Sequence, residues 1–392
     1  MTDPAATGTP PTASPATASP ATEAPATPRP RSTTGRLAVH RIPFLLAGGF
    51  AMLAGLDAAL LLLGLPAPVT TSRLPEVHGV LLVLGFVGTL ISLERAVALG
   101  RPVGYLAPAA LGLGGVLLVT PAPVEAGQVL LPAGTAALVV LYLPLWRRQR
   151  DDAVLVQTLG AVLATGAAAL WLGGVPVPVL LPWLAGFLVL TIAGERLELA
   201  RLAMGPGAGT RLVVLATLLV VTTVAALLWP LTTPALGLAL LALVLWLGTH
   251  DVARRTVRAT GLVRFMAASM LAGYLWLAVA GGVWLVAGQV TEGGGYDAVV
   301  HAVFLGFTLS MIMAHAPVIL PAVLRRPMPY HPVLLLPAGL LHGSLVLRVW
   351  GGDGLGVPFA WQVGGALNIV ALLGFLAATA WLVARGPRGS RA

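Results

Sequence analysis

The sequence contains no cysteine and no lysine, and only 9 % of its 392 residues are charged. Without cysteine the chain can form no disulfide, thiolate-ligated metal centre, iron–sulfur cluster or covalently attached c-type haem. Any metal ion would have to be bound by histidine, methionine or carboxylate side chains. All 23 basic residues are arginine, and we attribute the net charge of +9 to membrane topology rather than to a nucleic-acid partner.

Apolar residues make up 57 % of the chain, a share that a soluble domain could not carry without exposing large apolar areas. Apolar runs of about 18 residues or more recur from Ile42 to Ala384, each long enough to cross a bilayer as a helix. We therefore predict an all-α integral membrane protein in the lipid bilayer. About twelve transmembrane helices are expected, over residues 42–65, 75–99, 103–121, 126–146, 153–172, 176–200, 211–229, 234–250, 264–288, 297–323, 332–350 and 359–384.

Arginine placement predicts the orientation, because cytoplasmic loops retain basic residues during insertion. Every arginine except Arg73 and Arg348 falls in alternate loops or in the two terminal segments. Both termini are therefore expected in the cytoplasm, with the protein in the inner (plasma) membrane. Residues 1–36, rich in Pro, Ala and Thr, are predicted to be a disordered cytoplasmic tail, and residues 37–392 a polytopic transmembrane domain.

Three apolar segments share a glycine-phenylalanine pair with a polar residue nine positions after the glycine. The three copies are Gly85-Phe86 with Glu94, Gly186-Phe187 with Glu195, and Gly306-Phe307 with His315. The pattern predicts three four-helix repeats, over about residues 41–150, 151–260 and 261–385. Many twelve-helix transporters are instead built as two six-helix halves.

Two histidines occupy matching positions in the first and third predicted repeats. Arg41 and His78 recur as Arg264 and His301, each 223 residues later, whereas the middle repeat has Val179 near that position. Packing of the second, sixth and tenth helices around one centre would bring both histidines to the same depth at the outer face. Two such imidazoles can ligate one haem iron from both sides. Alternatively, each is an interfacial histidine that bonds to water or lipid headgroups.

These features resemble the haem-copper oxidase subunit I fold, in which histidines at the outer ends of helices two and ten ligate the low-spin haem. The segments His78-Gly79 to Gly85-Phe86 and His301 to Gly306-Phe307 are also similar to the NnrS family, haem- and copper-containing membrane proteins tied to nitric oxide stress. The resemblance implies haem b as cofactor, bound by His78 and His301. It also implies electron transfer or a nitric oxide- or oxygen-related respiratory function, with a respiratory or redox membrane partner.

The chain departs from the oxidase pattern at the copper site. His78 is the only histidine between His40 and His250, so the histidines of oxidase helices six and seven have no counterparts. His301 and His315 stand about 21 Å apart along a helix, too far to address cofactors at one depth. Only the low-spin haem site therefore carries over, and we do not expect an enzyme.

Asp57 is expected in the outer half of the first helix, among apolar residues. We predict that its carboxylate accepts the ring N–H of His78, the usual way in which a ligating imidazole is oriented. The alternatives are a hydrogen bond to a hydroxyl or backbone group of a neighbouring helix, or contact with water at the lipid edge.

Glu94, Glu195 and His315 form a second predicted layer near the inner ends of their helices. Two carboxylates and an imidazole at matching positions suit a metal or proton site, although copper(I) prefers softer ligands. Because a carboxylate near a helix C-terminus needs a cationic partner, the alternative is an arginine–carboxylate network that joins the three repeats.

A second functional hypothesis is a proton-linked secondary transporter. It is motivated by the twelve expected helices and by three ionisable residues within them, Asp57, His315 and His342. A third is a subunit that binds no cofactor and packs beside a respiratory complex.

Overall fold

The computed structural model describes residues 38–385. The predicted tail over residues 1–36 lies outside the described residues. Within them, twelve helices are long and apolar enough to cross a membrane by length and composition, which confirms the prediction of an all-helical, multi-pass membrane protein. We name them α1 Val39–Leu62, α2 Arg73–Leu99, α3 Pro102–Val119, α4 Val124–Arg148, α5 Asp152–Leu172, α6 Val177–Arg201, α7 Ala208–Leu228, α8 Pro230–His250, α9 Gly261–Ala287, α10 Gly293–Leu324, α11 Pro332–Gly354 and α12 Pro358–Arg385.

Helices α2, α6 and α10 are the most buried of the twelve. Their most apolar stretches are 72 %, 78 % and 67 % buried, against 33 % to 56 % for the other nine spans. The three helices that carry the glycine-phenylalanine pattern therefore form the centre of the helix bundle, as we expected. The division into three repeats stays a prediction.

Two of the central helices widen into π-helix at matching places. In α2 the π-helical segment is Leu81–Gly88, and in α10 it is Ala302–Leu309. Each follows closely after the histidine of its helix and contains the glycine-phenylalanine pair at the same position. Helix α6 has no such segment. π-helical turns are rare in proteins overall, and those that occur often lie at functional sites.

Close helix approach depends on glycine at a few positions. A Cβ on Gly160 of α5 would lie 2.8 Å from the carbonyl oxygen of Phe187 in α6. A Cβ on Gly115 of α3 would lie 3.0 Å from the Cα of Gly85 in α2. Small residues allow this backbone-to-backbone contact, a common way to pack transmembrane helices.

Candidate functional site

His78 of α2 and His301 of α10 line the same cavity. The cavity encloses about 750 Å³ of empty space, counting the part that is open to solvent. Helices α1, α2, α6, α10, α11 and α12 all contribute to its wall, which is mostly apolar and includes Leu56, Leu82, Leu181, Phe304, Ile369 and Leu372.

The ring of His78 is held by a backbone carbonyl. Its Nδ1 lies 2.9 Å from the carbonyl oxygen of Gly55 in α1. Because a carbonyl can only accept, Nδ1 carries the hydrogen and Nε2 of the neutral ring keeps its lone pair. This tautomer makes Nε2 available as a metal ligand.

His301 is held in the same tautomer. Its Nδ1 donates to the carbonyl oxygen of Asp297, at 2.8 Å, and lies 3.3 Å from the carboxylate of the same residue. Asp297 precedes His301 by four residues and so lies on the same face of α10. Both histidines therefore have Nδ1 bound to the protein and leave Nε2 available.

Arg348 of α11 lies at the wall of this site and pairs with Asp297. Its Nε and Nη2 donate to the two carboxylate oxygens of Asp297, at 2.8 and 2.7 Å, and its guanidinium lies 5.0 Å from the ring centre of Trp361. A Cβ on Gly364 would lie 2.7 Å from the backbone nitrogen of Arg348, so glycine is needed for α12 to pack here. The side chain thus places a positive charge at the wall of the cavity.

The role predicted for Asp57 is not the one the structure shows. Both carboxylate oxygens of Asp57 face the backbone N–H of Val69, at 3.4 and 3.2 Å, in the loop after α1. Gly55, two residues earlier, supplies the acceptor for His78 instead. Residues two apart point to different sides of a helix, and a main-chain carbonyl leaves no mark in the sequence.

At the other ends of α2 and α6, Glu94 and Glu195 share one arginine. Nη2 of Arg95 lies 2.6 Å from Glu94 and 3.9 Å from Glu195. Nη1 of Arg95 donates to Glu198 of α6 at 3.1 Å and to Gln157 of α5 at 3.3 Å. This guanidinium therefore joins α2 to α5 and α6.

His315 belongs to a neighbouring cluster around Arg196 of α6. The Nη1 of Arg196 lies 3.2 Å from Nε2 of His315, and its Nε and Nη2 donate to Asp251 at 2.8 and 2.9 Å. The hydroxyl of Tyr274 in α9 also donates to Asp251, at 2.7 Å. Burial raises the pKa of the Asp251 carboxyl, but the hydrogen bonds and charge of Arg196 outweigh burial and hold the pKa below its usual range.

The structure does not gather Glu94, Glu195 and His315 into one ligand set. Glu94 and Glu195 face Arg95, whereas Nδ1 of His315 donates to the carbonyl oxygen of Met311 and its Nε2 faces Arg196. Among residues 38–385 no three His, Asp or Glu side chains form a group that could hold a metal ion. The contacts are those of the alternative, an arginine–carboxylate network between helices.

His342 of α11 has protein partners on both ring nitrogens. Trp276 of α9 donates to its Nδ1 at 3.1 Å, and its Nε2 lies 3.4 Å from the hydroxyl of Ser310 in α10. These contacts hold three helices together and give the side chain a packing role.

Sequence reasoning missed Asp297 and Arg348. Two signals were present: Asp297 lies four residues before a singled-out histidine, and Arg348 is one of two arginines outside the basic loops. An arginine within an apolar segment needs an acidic partner nearby.

The fold and the site define a polytopic helical membrane protein with a central, mostly apolar cavity that presents two imidazoles. Residues 41–384 match a family described as a domain of unknown function, DUF8744, and the chain belongs to that family. No curated protein and no solved structure matches the chain.

Proposed function

We propose that this protein binds haem b between His78 and His301 and acts in electron transfer, or in a nitric oxide- or oxygen-related respiratory function. One observation carries the proposal: two imidazoles from separate central helices line one cavity, each with Nδ1 bonded to a backbone carbonyl. A ligating histidine almost always donates its other ring N–H in this way.

The surroundings of the two imidazoles also suit a haem. Apolar side chains such as Leu82 and Phe304 offer contact to a macrocycle, and Arg348 offers a positive charge to an acidic substituent. The Asp297 carboxylate lies next to Nδ1 of His301, which strengthens the imidazole as a donor to iron. A bound haem would supply reversible one-electron transfer.

The remaining assignments are part of the same proposal. We place the protein in the inner membrane with both termini in the cytoplasm, because the arginines concentrate in alternate loops. The cavity then lies near the outer face, and a redox partner of the same membrane or of the outer aqueous phase would exchange electrons there. The three-repeat architecture agrees with the central position of α2, α6 and α10.

The test is a reduced-minus-oxidised visible spectrum of protein purified after haem-replete expression. We expect the bands of a low-spin haem b in the wild type and their loss in His78→Ala and in His301→Ala, because each variant removes one axial ligand. His40→Ala is the matched control, since His40 is exposed and its ring faces Tyr105 away from the cavity.

Wild-type protein without a Soret band would contradict the proposal, as would unchanged spectra in both histidine variants. The competing function is then tested directly in sealed vesicles. Proton-linked solute uptake that survives His78→Ala and His301→Ala would support a secondary transporter instead.

A further inference from the structure

The cluster around Arg95 holds more negative than positive charge. Glu94 of α2 and Glu195 and Glu198 of α6 all lie within 4 Å of one guanidinium, at 2.6, 3.9 and 3.1 Å. Three carboxylates and one guanidinium leave two uncompensated negative charges if every carboxyl is ionised. In a partly buried setting this excess is costly, because Coulomb repulsion is screened less than in water.

Of the three carboxylates, Glu195 makes the weakest contact with Arg95. Glu94 and Glu198 each accept a hydrogen bond from Arg95, whereas Glu195 lies at 3.9 Å, beyond hydrogen-bond distance. Its side chain is also the least exposed of the three, at 19 % against 28 % and 37 %. Charge on Glu195 is therefore the least compensated in the cluster.

A second observation points to the same place. The side chain of Tyr142 in α4 is 1 % exposed, and its hydroxyl has no hydrogen-bond partner among the described residues. This hydroxyl lies within electrostatic range of Arg95, Glu195 and Glu94. Buried hydroxyls are almost always bonded, so the Tyr142 hydroxyl is available as a hydrogen-bond partner for a nearby group.

We propose that Glu195 is a proton-binding site, with Tyr142 as its hydrogen-bond partner. The carboxylate takes a proton from hydronium and releases water, and the reverse step returns it. Glu198, the most exposed carboxyl of the cluster, lies on the route to the aqueous phase at which α2 and α6 end. The site is separate from the histidine cavity and does not depend on haem.

The surrounding groups are fixed by the fold. The charged and titratable side chains that face the site are Glu94 and Arg95 from α2, Tyr142 from α4, and Arg196 and Glu198 from α6 itself. His315, Asp251 and Tyr274 belong to the neighbouring cluster around Arg196. Helix α5 contributes the neutral amide of Gln157, which donates to Glu198 at 3.2 Å. Arg196 is engaged by Asp251 and His315 and so compensates Glu195 only weakly.

The experiment is infrared difference spectroscopy of the purified, membrane-reconstituted protein during pH steps between about pH 5 and pH 9, in H₂O and in D₂O. We expect a carbonyl stretch of a protonated carboxyl that changes with pH and shifts in D₂O. Glu195→Gln removes this band. Glu125→Gln keeps it, because Glu125 is an exposed carboxyl at the start of α4.

Two further variants keep the test decisive if Glu195→Gln does not assemble. Glu195→Asp retains a carboxyl and should retain a band at a changed frequency. Tyr142→Phe removes the hydroxyl, so the band should move to the higher frequency of a carboxyl with fewer hydrogen bonds. A wild type without a pH-dependent band, a band that persists in Glu195→Gln, or a frequency unchanged in Tyr142→Phe overturns the proposal.

Discussion

Buried arginines join helices that lie far apart in the sequence. Arg95 bonds within α2 and to α5 and α6, and Arg196 contacts α10 and the segment after α8. Arg41 of α1 donates to two carbonyl oxygens near the end of α10, at 3.2 and 3.1 Å. A planar guanidinium with five donors can serve such separated acceptors, whereas a lysine ammonium presents one point charge.

Removal of Asp251 should therefore be costly. Its side chain is fully buried, and Asp251→Ala leaves the Arg196 guanidinium without its carboxylate partner. Breaking a buried ion pair costs roughly 3 to 5 kcal/mol. We expect a loss of this size in the free energy of unfolding, measured by denaturant titration in detergent. Asp57→Ala is the control, and its loss should stay below about 1 kcal/mol because its hydrogen bond is exposed.

The contribution of Asp251 should also depend on pH. The folded protein holds the pKa of this carboxyl below its usual range, so folding favours the ionised form. The stabilisation is complete above the unfolded-state pKa of about 3.9 and is lost as the pH falls through the lower folded-state value. The stability difference between wild type and Asp251→Ala should stay constant near neutral pH and shrink below about pH 4. A difference that grows on acidification would contradict the pairing.

Asp297 should govern how firmly the proposed haem is held. Asp297→Asn removes the carboxylate charge between Nδ1 of His301 and Arg348. Loss of such a group next to a ligating histidine typically costs 10- to 100-fold in affinity, so haem transfer to an apo-globin acceptor should accelerate by about that factor. Asp57→Asn should leave the transfer rate unchanged, since Asp57 bonds to Val69. Equal rates in wild type and Asp297→Asn would exclude this role.

At the scale of the helices, hydropathy predicted the number of spans and most of their limits. It did not predict the π-helical segments, because their hydrogen-bond pattern follows from packing rather than from residue type. One consequence is that α11 continues to Gly354 as π-helix, beyond the predicted end at residue 350. The matching positions of His78 and His301 could be read from the repeat spacing in the sequence. That the Gly55 carbonyl accepts the hydrogen bond of His78 could be read only from the structure.

The contact between α5 and α6 gives a test of helix packing. Gly160→Ala places a methyl group 2.8 Å from the backbone oxygen of Phe187, which cannot move independently of α6. Overpacking costs about 1 to 3 kcal/mol, more than alanine gains over glycine in helix propensity. We expect net destabilisation in thermal unfolding. Gly49→Ala in α1 meets no atom within 4 Å and should be neutral or stabilising by up to about 1 kcal/mol.

Because the whole molecule contains no cysteine, an introduced cysteine is its single thiol, and labelling of that thiol can be used to map the topology. We predict that Thr71→Cys, in the loop after α1, reacts with a membrane-impermeant maleimide in intact cells. Thr260→Cys, in the arginine-rich segment before α9, should react only after the membrane is permeabilised. Both positions are exposed, so accessibility to reagent reports the side of the membrane. The opposite labelling pattern would reverse the proposed orientation.

The long sequence separation within the arginine network has a consequence for biosynthesis. Arg95 is made 103 residues before Glu198, and Arg41 is made 282 residues before Val323. At a synthesis rate of about 5 to 20 residues per second, Glu198 follows Arg95 after roughly 5 to 20 s, and Val323 follows Arg41 after roughly 14 to 56 s. These contacts between helices are therefore completed only after α6 and α10 have been synthesised.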